Sequence, residues 1–336
     1  MKVPYIGITG FMTRYEVLSV LSSYPLHAPR KVMIGVLASL KSLRGEINKR
    51  PMRYPKAEEI KNIFIEHPLA LNLIHYNTKE PDTLLSQLLK MTEFGGPNFH
   101  GFQLNMAWPV LKTLKLYKKQ HPEKQIVLQV GHKAMELVMK SPSILANHVE
   151  RYEGFVDYVL LDPSGGLGKP FDVEEMRKYL EAISSRNLEI GLVVAGGLSP
   201  TTLDTIEPLI KTNISSDAEG RLRNKDDSLD LIVAIQYLLK SLQMFARGFI
   251  SDEDLISMNE AQLKEEVIKL RSAIREHRDQ IGDDRCWVDD IALYKKLPDN
   301  TPIILNLPPE EIMMPNCLRF WKTRQCLENQ NKLHEW

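Results

Sequence analysis

Residues 156–172 read VDYVLLDPSGGLGKPFD. The run DYVLLD (157–162) has an unbroken apolar centre and ends in one acid, Asp162. Such a run is the pattern of a parallel strand covered on both faces. A glycine-rich loop follows at once, and DVEEMRKYLEAISSR (172–186) then shows helical periodicity. Strand, glycine loop and helix make one βα unit.

The same unit recurs along the chain. Candidate strands are YIGIT (5–9), KVMIGVLAS (31–39), ALNLIHY (70–76), GFQLNM (101–106) and QIVLQVG (125–131). DYVLLD, IGLVVAGG (190–197) and TNISS (212–216) complete the set. Helical segments fall between them. Thr13 and Glu16 have the spacing of a capping box. Pro55 stands where a helix can begin, and Pro142 breaks a helical stretch in two. SLDLIVAIQYLLKSLQMF (228–245) predicts the eighth helix, with Leu229, Ile232, Ile235 and Leu239 on one side. Eight successive units predict a closed (β/α)8 TIM barrel over residues 1–250. A doubly wound open sheet is the competing architecture, weakened because no GxGxxG follows the first strand.

Residues 251–336 change character. One long amphipathic helix is predicted first, then irregular runs with prolines and Trp287, Trp321 and Trp336. This C-terminal extension suits packing, homodimer formation or a protein partner. The tryptophans read as packing residues.

Composition narrows the function. The chain has 336 residues, and 43 Lys and Arg balance 43 Asp and Glu. Neutral charge offers no general attraction to nucleic acid or an anionic membrane. Three cysteines, Cys286, Cys317 and Cys326, form no CxxC pair. Reduced thiols and the lack of a signal-type apolar run at MKVPYIGITG predict a cytoplasmic protein. No apolar run reaches membrane-spanning length.

In a barrel, ligands bind where strands end. Asp162 is a candidate proton-transfer residue there, or a turn cap before Pro163. Gly165, Gly166 and Gly168 can expose backbone N–H groups to an anion, with Lys169 adding charge. Gly196 and Gly197 end the seventh strand before a helix expected near Thr201, and Ser215 and Ser216 end the eighth. Loops seven and eight are where many barrels hold phosphate. The three loops together predict a small phosphorylated metabolite as ligand. His75, Asn105, Gln129 and His132 stand at or near the ends of strands three to five, and Thr9 ends the first. They are candidate contacts, with His75 preferred as base. No metal site is expected, since the histidines are scattered and HExxH is absent. No cofactor is called for.

Several segments resemble the phosphoribosylanthranilate isomerases. These are LLD with GGLGKPFD (160–172), VVAGGLSPTTL (193–203), NISSDAEG (213–220), YIGIT and KRPMRYPKAEEI (49–60). The resemblance implies a barrel, an Amadori rearrangement of a phosphoribosylamine, Asp162 as general acid and Arg53 as a carboxylate contact. The family's general base is a first-strand cysteine. The GIT match puts Ile6 there, and isoleucine moves no proton. Asn105 stands at a histidine position of the family, and Asn213 replaces an aspartate. The expected function is therefore isomerase-like chemistry on a phosphorylated sugar or phosphoribosyl conjugate, distinct from the family's own reaction. A non-catalytic phosphate-ligand sensor or scaffold is the alternative, and a nucleotide or nucleic-acid processing enzyme a weaker one.

Overall fold

The computed structural model describes residues 2–25, 28–163, 172–210, 213–248 and 258–279. Eight strands close into one barrel in sequence order. They are β1 (Tyr5–Thr9), β2 (Lys31–Ser39), β3 (Ala70–Asn77), β4 (Gly101–Leu104), β5 (Gln125–Gly131), β6 (Tyr158–Asp162), β7 (Gly191–Ala195) and β8 (Ser215–Ala218). Every neighbouring pair is parallel, and β8 returns to β1. The fold is a TIM barrel, as the apolar periodicity predicts.

Side chains alternate across the sheet, so each strand feeds two cores. Tyr5, Met33, Leu73, Val127, Leu160 and Val193 fill the barrel interior. Ile6, Ile8, Val32, Ile34, Leu128 and Val194 pack outward against the helices. Each buried aliphatic side chain contributes roughly 1.5–3 kcal/mol. The alternation corrects one expectation. Ile6 belongs to the outer core, so it faces the helices and not the mouth.

Several helices begin at side-chain caps, the first of them the expected capping box. Thr13 and Glu16 form the capping box of the helix Arg14–Ser22. Ser141 caps the helix Pro142–Glu150, whose first residue is the proline expected to break the preceding segment. Asp172 caps Val173–Ser184. Other helices depart from expectation. After Pro55 the chain makes only a 3₁₀ turn (Ala57–Glu59) and one helical turn (Ile60–Ile63). The seventh connection is a 3₁₀ segment, Leu203–Leu209, interrupted by Pro208. In the last barrel helix, Leu231–Gly248, Ile232 is exposed while Ala234, Ile235, Tyr237, Leu238 and Ser241 are buried. Leu229 precedes that helix, so its burial does not mark the helical face.

One ion cluster ties the strand-start face together. Asp157, just before β6, accepts hydrogen bonds from Lys2 Nζ at 2.6 Å, Lys118 Nζ at 2.8 Å and the Ile126 N–H at 2.9 Å. Burial alone would raise its pKa, but these donors outweigh burial and hold the carboxyl below its usual range. Its stabilising contribution is therefore present above about pH 4 and is lost as pH falls through the lowered folded-state pKa. Asp157→Asn is expected to cost about 1–2 kcal/mol at pH 7 and almost nothing near pH 2. Urea unfolding at the two pH values checks this, and an equal cost at both would contradict it.

By contacts the chain divides into Met1–Phe249 and Ile250–Trp336. In the second unit, Glu260–Asp279 is helical, with Val267, Ile268 and Leu270 exposed. The tryptophans and cysteines of the extension lie outside the described residues. Among the described residues no helix is long and apolar enough to cross a membrane.

Candidate active site

A cavity of about 380 Å³ opens at the strand-end mouth of the barrel. Arg53, His75, Gln129, Asp162, Gly196 and Gly197, all expected at the site, line it. Arg50, Gln103, Asp217, Glu219, Gly220 and Arg221 line it too, and sequence reasoning missed them as site residues.

The cavity wall is one hydrogen-bonded chain drawn from six strands. Thr9 Oγ1 of β1 donates to Asp217 Oδ1 of β8 at 3.3 Å. Gln103 Nε2 of β4 reaches Asp217 Oδ2 at 3.1 Å, His75 Nδ1 of β3 at 3.3 Å and Gln129 Oε1 of β5 at 3.3 Å. Gln129 Nε2 then donates to Asp162 Oδ2 at 3.4 Å. Asp162 and Asp217 are thus joined through two glutamine amides. Gly7 makes the room: a Cβ there would sit 2.6 Å from Asp217 Oδ1.

Burial sets the protonation of this wall. Asp217 is almost fully buried, and desolvation pushes its pKa up to about 7. Hydrogen bonds from Gln103 and Thr9 oppose the rise, while the charges of Glu219 and Asp162 add to it. Burial also lowers the pKa of His75, against the pull of Glu219 and Asp162. His75 is therefore a neutral imidazole at pH 7.

The rim carries opposite charge. Arg53 pairs with Glu219 at 2.9 Å and with Asp227. Arg223 reaches Glu219 at 3.4 Å and donates to the carbonyl of Thr9. Arg53 therefore latches the second loop to the eighth, and an incoming carboxylate must compete with two acids for it. Arg50 and Arg221 are exposed. At the end of β7, Gly196 and Gly197 have φ of +118° and +65°, which side chains rarely adopt. Arg221 Nε lies 3.3 Å from where a Gly197 Cβ would be. A guanidinium thus sits against bare backbone, an arrangement that suits an oxyanion.

Four expected contacts fall elsewhere. β8 begins at Ser215, so both serines precede the mouth. Ser215 Oγ accepts from the Tyr5 N–H at the start of β1, and Ser216 Oγ bonds Tyr237 OH in the helical shell. The strand runs two residues beyond the expected end, and the mouth receives Asp217 and Glu219 instead. β4 stops at Leu104, leaving Asn105 exposed beyond it. His132 lies in the helix His132–Leu137, 3.1 Å from Glu136, and does not line the cavity. Gly165, Gly166, Gly168 and Lys169 lie outside the described residues. Among the described residues no group of three or more His, Cys, Asp or Glu side chains could hold a metal ion.

Fold and cavity together define a TIM barrel with an acid-lined mouth and an arginine rim. No family model matches the chain, and no curated protein does. Solved structures do resemble it. One is a phosphoribosyl anthranilate isomerase in complex with reduced 1-(o-carboxyphenylamino)-1-deoxyribulose 5-phosphate. It is 16% identical, covers 71% of this chain and 98% of its own, and has a TM-score of 0.48. A tryptophan synthase subunit alpha from Legionella pneumophila is 8% identical over 73% of this chain and 93% of that one, with a TM-score of 0.48. The catalytic domain of a chitinase from Pyrococcus furiosus is 11% identical over 73% and 97%, with a TM-score of 0.45. At these identities the likeness concerns the barrel fold alone.

Proposed function

We propose that the mouth binds a small phosphorylated sugar or phosphoribosyl conjugate and moves a proton on it in an isomerase-like reaction. The observation that supports this best is the shared cavity of Asp162, the Gly196–Gly197 backbone and Arg221. A phosphate held by loops seven and eight anchors one end of the ligand. Anchoring turns the proton transfer into an intramolecular step, because the reacting carbon is already placed. Asp162 moves the proton, and neutral His75 offers a hydrogen bond to a sugar oxygen. Arg53 orients the second polar end, through or alongside its pairing with Glu219. A cavity of this size suits a small metabolite.

Calorimetric titration with inorganic phosphate and with ribose 5-phosphate tests the anchor. Arg221→Ala is expected to weaken both about 10- to 100-fold, the worth of one charge-assisted hydrogen bond. Asp162→Asn is expected to leave both affinities within about threefold, since it removes a group that acts on carbon. Affinities that ignore Arg221→Ala would overturn the phosphate assignment.

A further inference from the structure

We propose that Asp217 is a second catalytic residue of the mouth, exchanging a proton with a substrate oxygen while Asp162 exchanges one with the adjacent carbon. This rests on the sugar-phosphate reading above and supplies the partner that a single acid lacks. Four observations carry it. Asp217 and Asp162 line the same cavity. The Gln103–Gln129 amides join the two carboxyls. Gly7 leaves the space that the Asp217 side chain occupies. The carboxyl is buried and, among the described residues, meets no cation directly: its hydrogen bonds come from Gln103 and Thr9.

The groups facing Asp217 explain why it can hold a proton. Glu219 and Asp162 repel its charge, and Tyr5 and Tyr237 lie close enough to feel it. His75 touches the same Gln103 amide. Arg53 and Arg223 are spent on Glu219. Burial raises the Asp217 pKa to about 7, near the value that serves both donation and acceptance at neutral pH. Gln103 can follow the proton. Its Oε1 is buried without a partner in the amide orientation that donates to Asp217. Turning the amide over presents Oε1 to a protonated Asp217, so either ionisation state finds a hydrogen bond.

The chemistry balances for a 1,2-shift between aldose and ketose. The Asp162 carboxylate takes the proton from C2, and the C2–H electron pair becomes the C1=C2 bond. The carbonyl π pair collects the Asp217 proton at O1, leaving an enediol. Asp162 then gives its proton to C1. The C1=C2 pair forms that C–H bond, and the O2–H pair becomes the new carbonyl as its proton passes to Asp217. Both acids return to their starting states, with no oxidant or cofactor consumed.

The test is carbon-bound deuterium uptake, followed by NMR in D2O, with ribose 5-phosphate, ribulose 5-phosphate and glucose 6-phosphate as probes. The native protein is expected to wash deuterium into at least one of them. Asp217→Asn should cut that rate at least about 100-fold, in kcat and not in KM, within the effect range of a general acid. The rate should fall as pH rises past about 7, because the donating form is lost. Thr9→Val, which keeps the carboxyl but removes a hydrogen bond that lowers its pKa, should move that limb upward. Without any ligand, carbon-13 NMR of labelled aspartates should show one carboxyl titrating near neutral pH, absent in Asp217→Asn. Uptake that survives Asp217→Asn in a folded variant, or no such carboxyl, would overturn the role of Asp217 alone, whereas binding without uptake by the native protein would overturn the proton transfer assigned to Asp162 as well. No binding of any probe would overturn the sugar-phosphate reading and this inference with it.

Discussion

Asp217→Asn is expected to stabilise the barrel at pH 8 and to leave its stability almost unchanged at pH 4. The folded-state pKa of Asp217 is raised to about 7. The unfolded chain would ionise it near the ordinary value of about 3.9. The native protein therefore has its full stability below about pH 4 and loses part of it as pH rises through about 7, where a buried carboxylate must form. A shift of this size corresponds to on the order of 3–4 kcal/mol. For a barrel of this size that is a rise in Tm of roughly 6–15 °C for the variant at pH 8. Asparagine fits because its oxygen can accept from Gln103 while its NH2 donates to the Thr9 hydroxyl, which turns to accept. Thermal melts of both proteins at pH 4, 6 and 8 decide the matter. A gap that does not widen with pH would show that the carboxyl pays no burial penalty. The same substitution that stops the proposed chemistry should thus make the protein more stable, as expected where function keeps a strained charge in place.

Gly101→Ala is expected to destabilise the barrel by about 3 kcal/mol or more. Gly101 opens β4 with φ of +156°, and a Cβ there would lie 1.9 Å from the carbonyl oxygen of Gln125 and 2.6 Å from its nitrogen. Those are backbone atoms of the paired strand, so no rotamer change relieves the clash. The strands must separate at the start of the β4–β5 ladder. Gln103, two residues on, would move with them and release Asp217, His75 and Gln129 together. Gly131→Ala is the control: its nearest neighbour would be the Asp162 carbonyl oxygen at 4.0 Å. Urea midpoints of the two variants should differ widely, and similar midpoints would refute the steric argument.

The two missed strand residues, Gln103 and Asp217, share one cause. Strand side chains alternate with period two, so an error of one or two residues at a strand end changes which side chain meets the ligand. TNISS was expected to end β8 at Ser216, but the strand continues to Ala218 and delivers Asp217. GFQLNM suggested Asn105, whereas β4 stops at Leu104 and the inward residue is Gln103. The GIT match pointed to Ile6, which faces outward; Gly7 and Thr9 are its inward neighbours. Strand-end placement with correct phase would have found Gln103 and Asp217. Arg221 carried no local signal beyond being an arginine after a glycine.

The chain's apolar runs, its capping box at Thr13 and its eightfold βα order were enough to determine the barrel. These are local features, set by hydration, sterics and hydrogen bonds within a few residues. Asp162, Gly196 and Gly197 were legible for the same reason, since each stands directly where an apolar run ends. The proton-bearing wall was not. Thr9 and Asp217 lie 208 residues apart, and Gln103 and Asp217 lie 114 apart. Closure of the barrel brings them together, and the pKa of Asp217 exists only once the surrounding strands have excluded water from it.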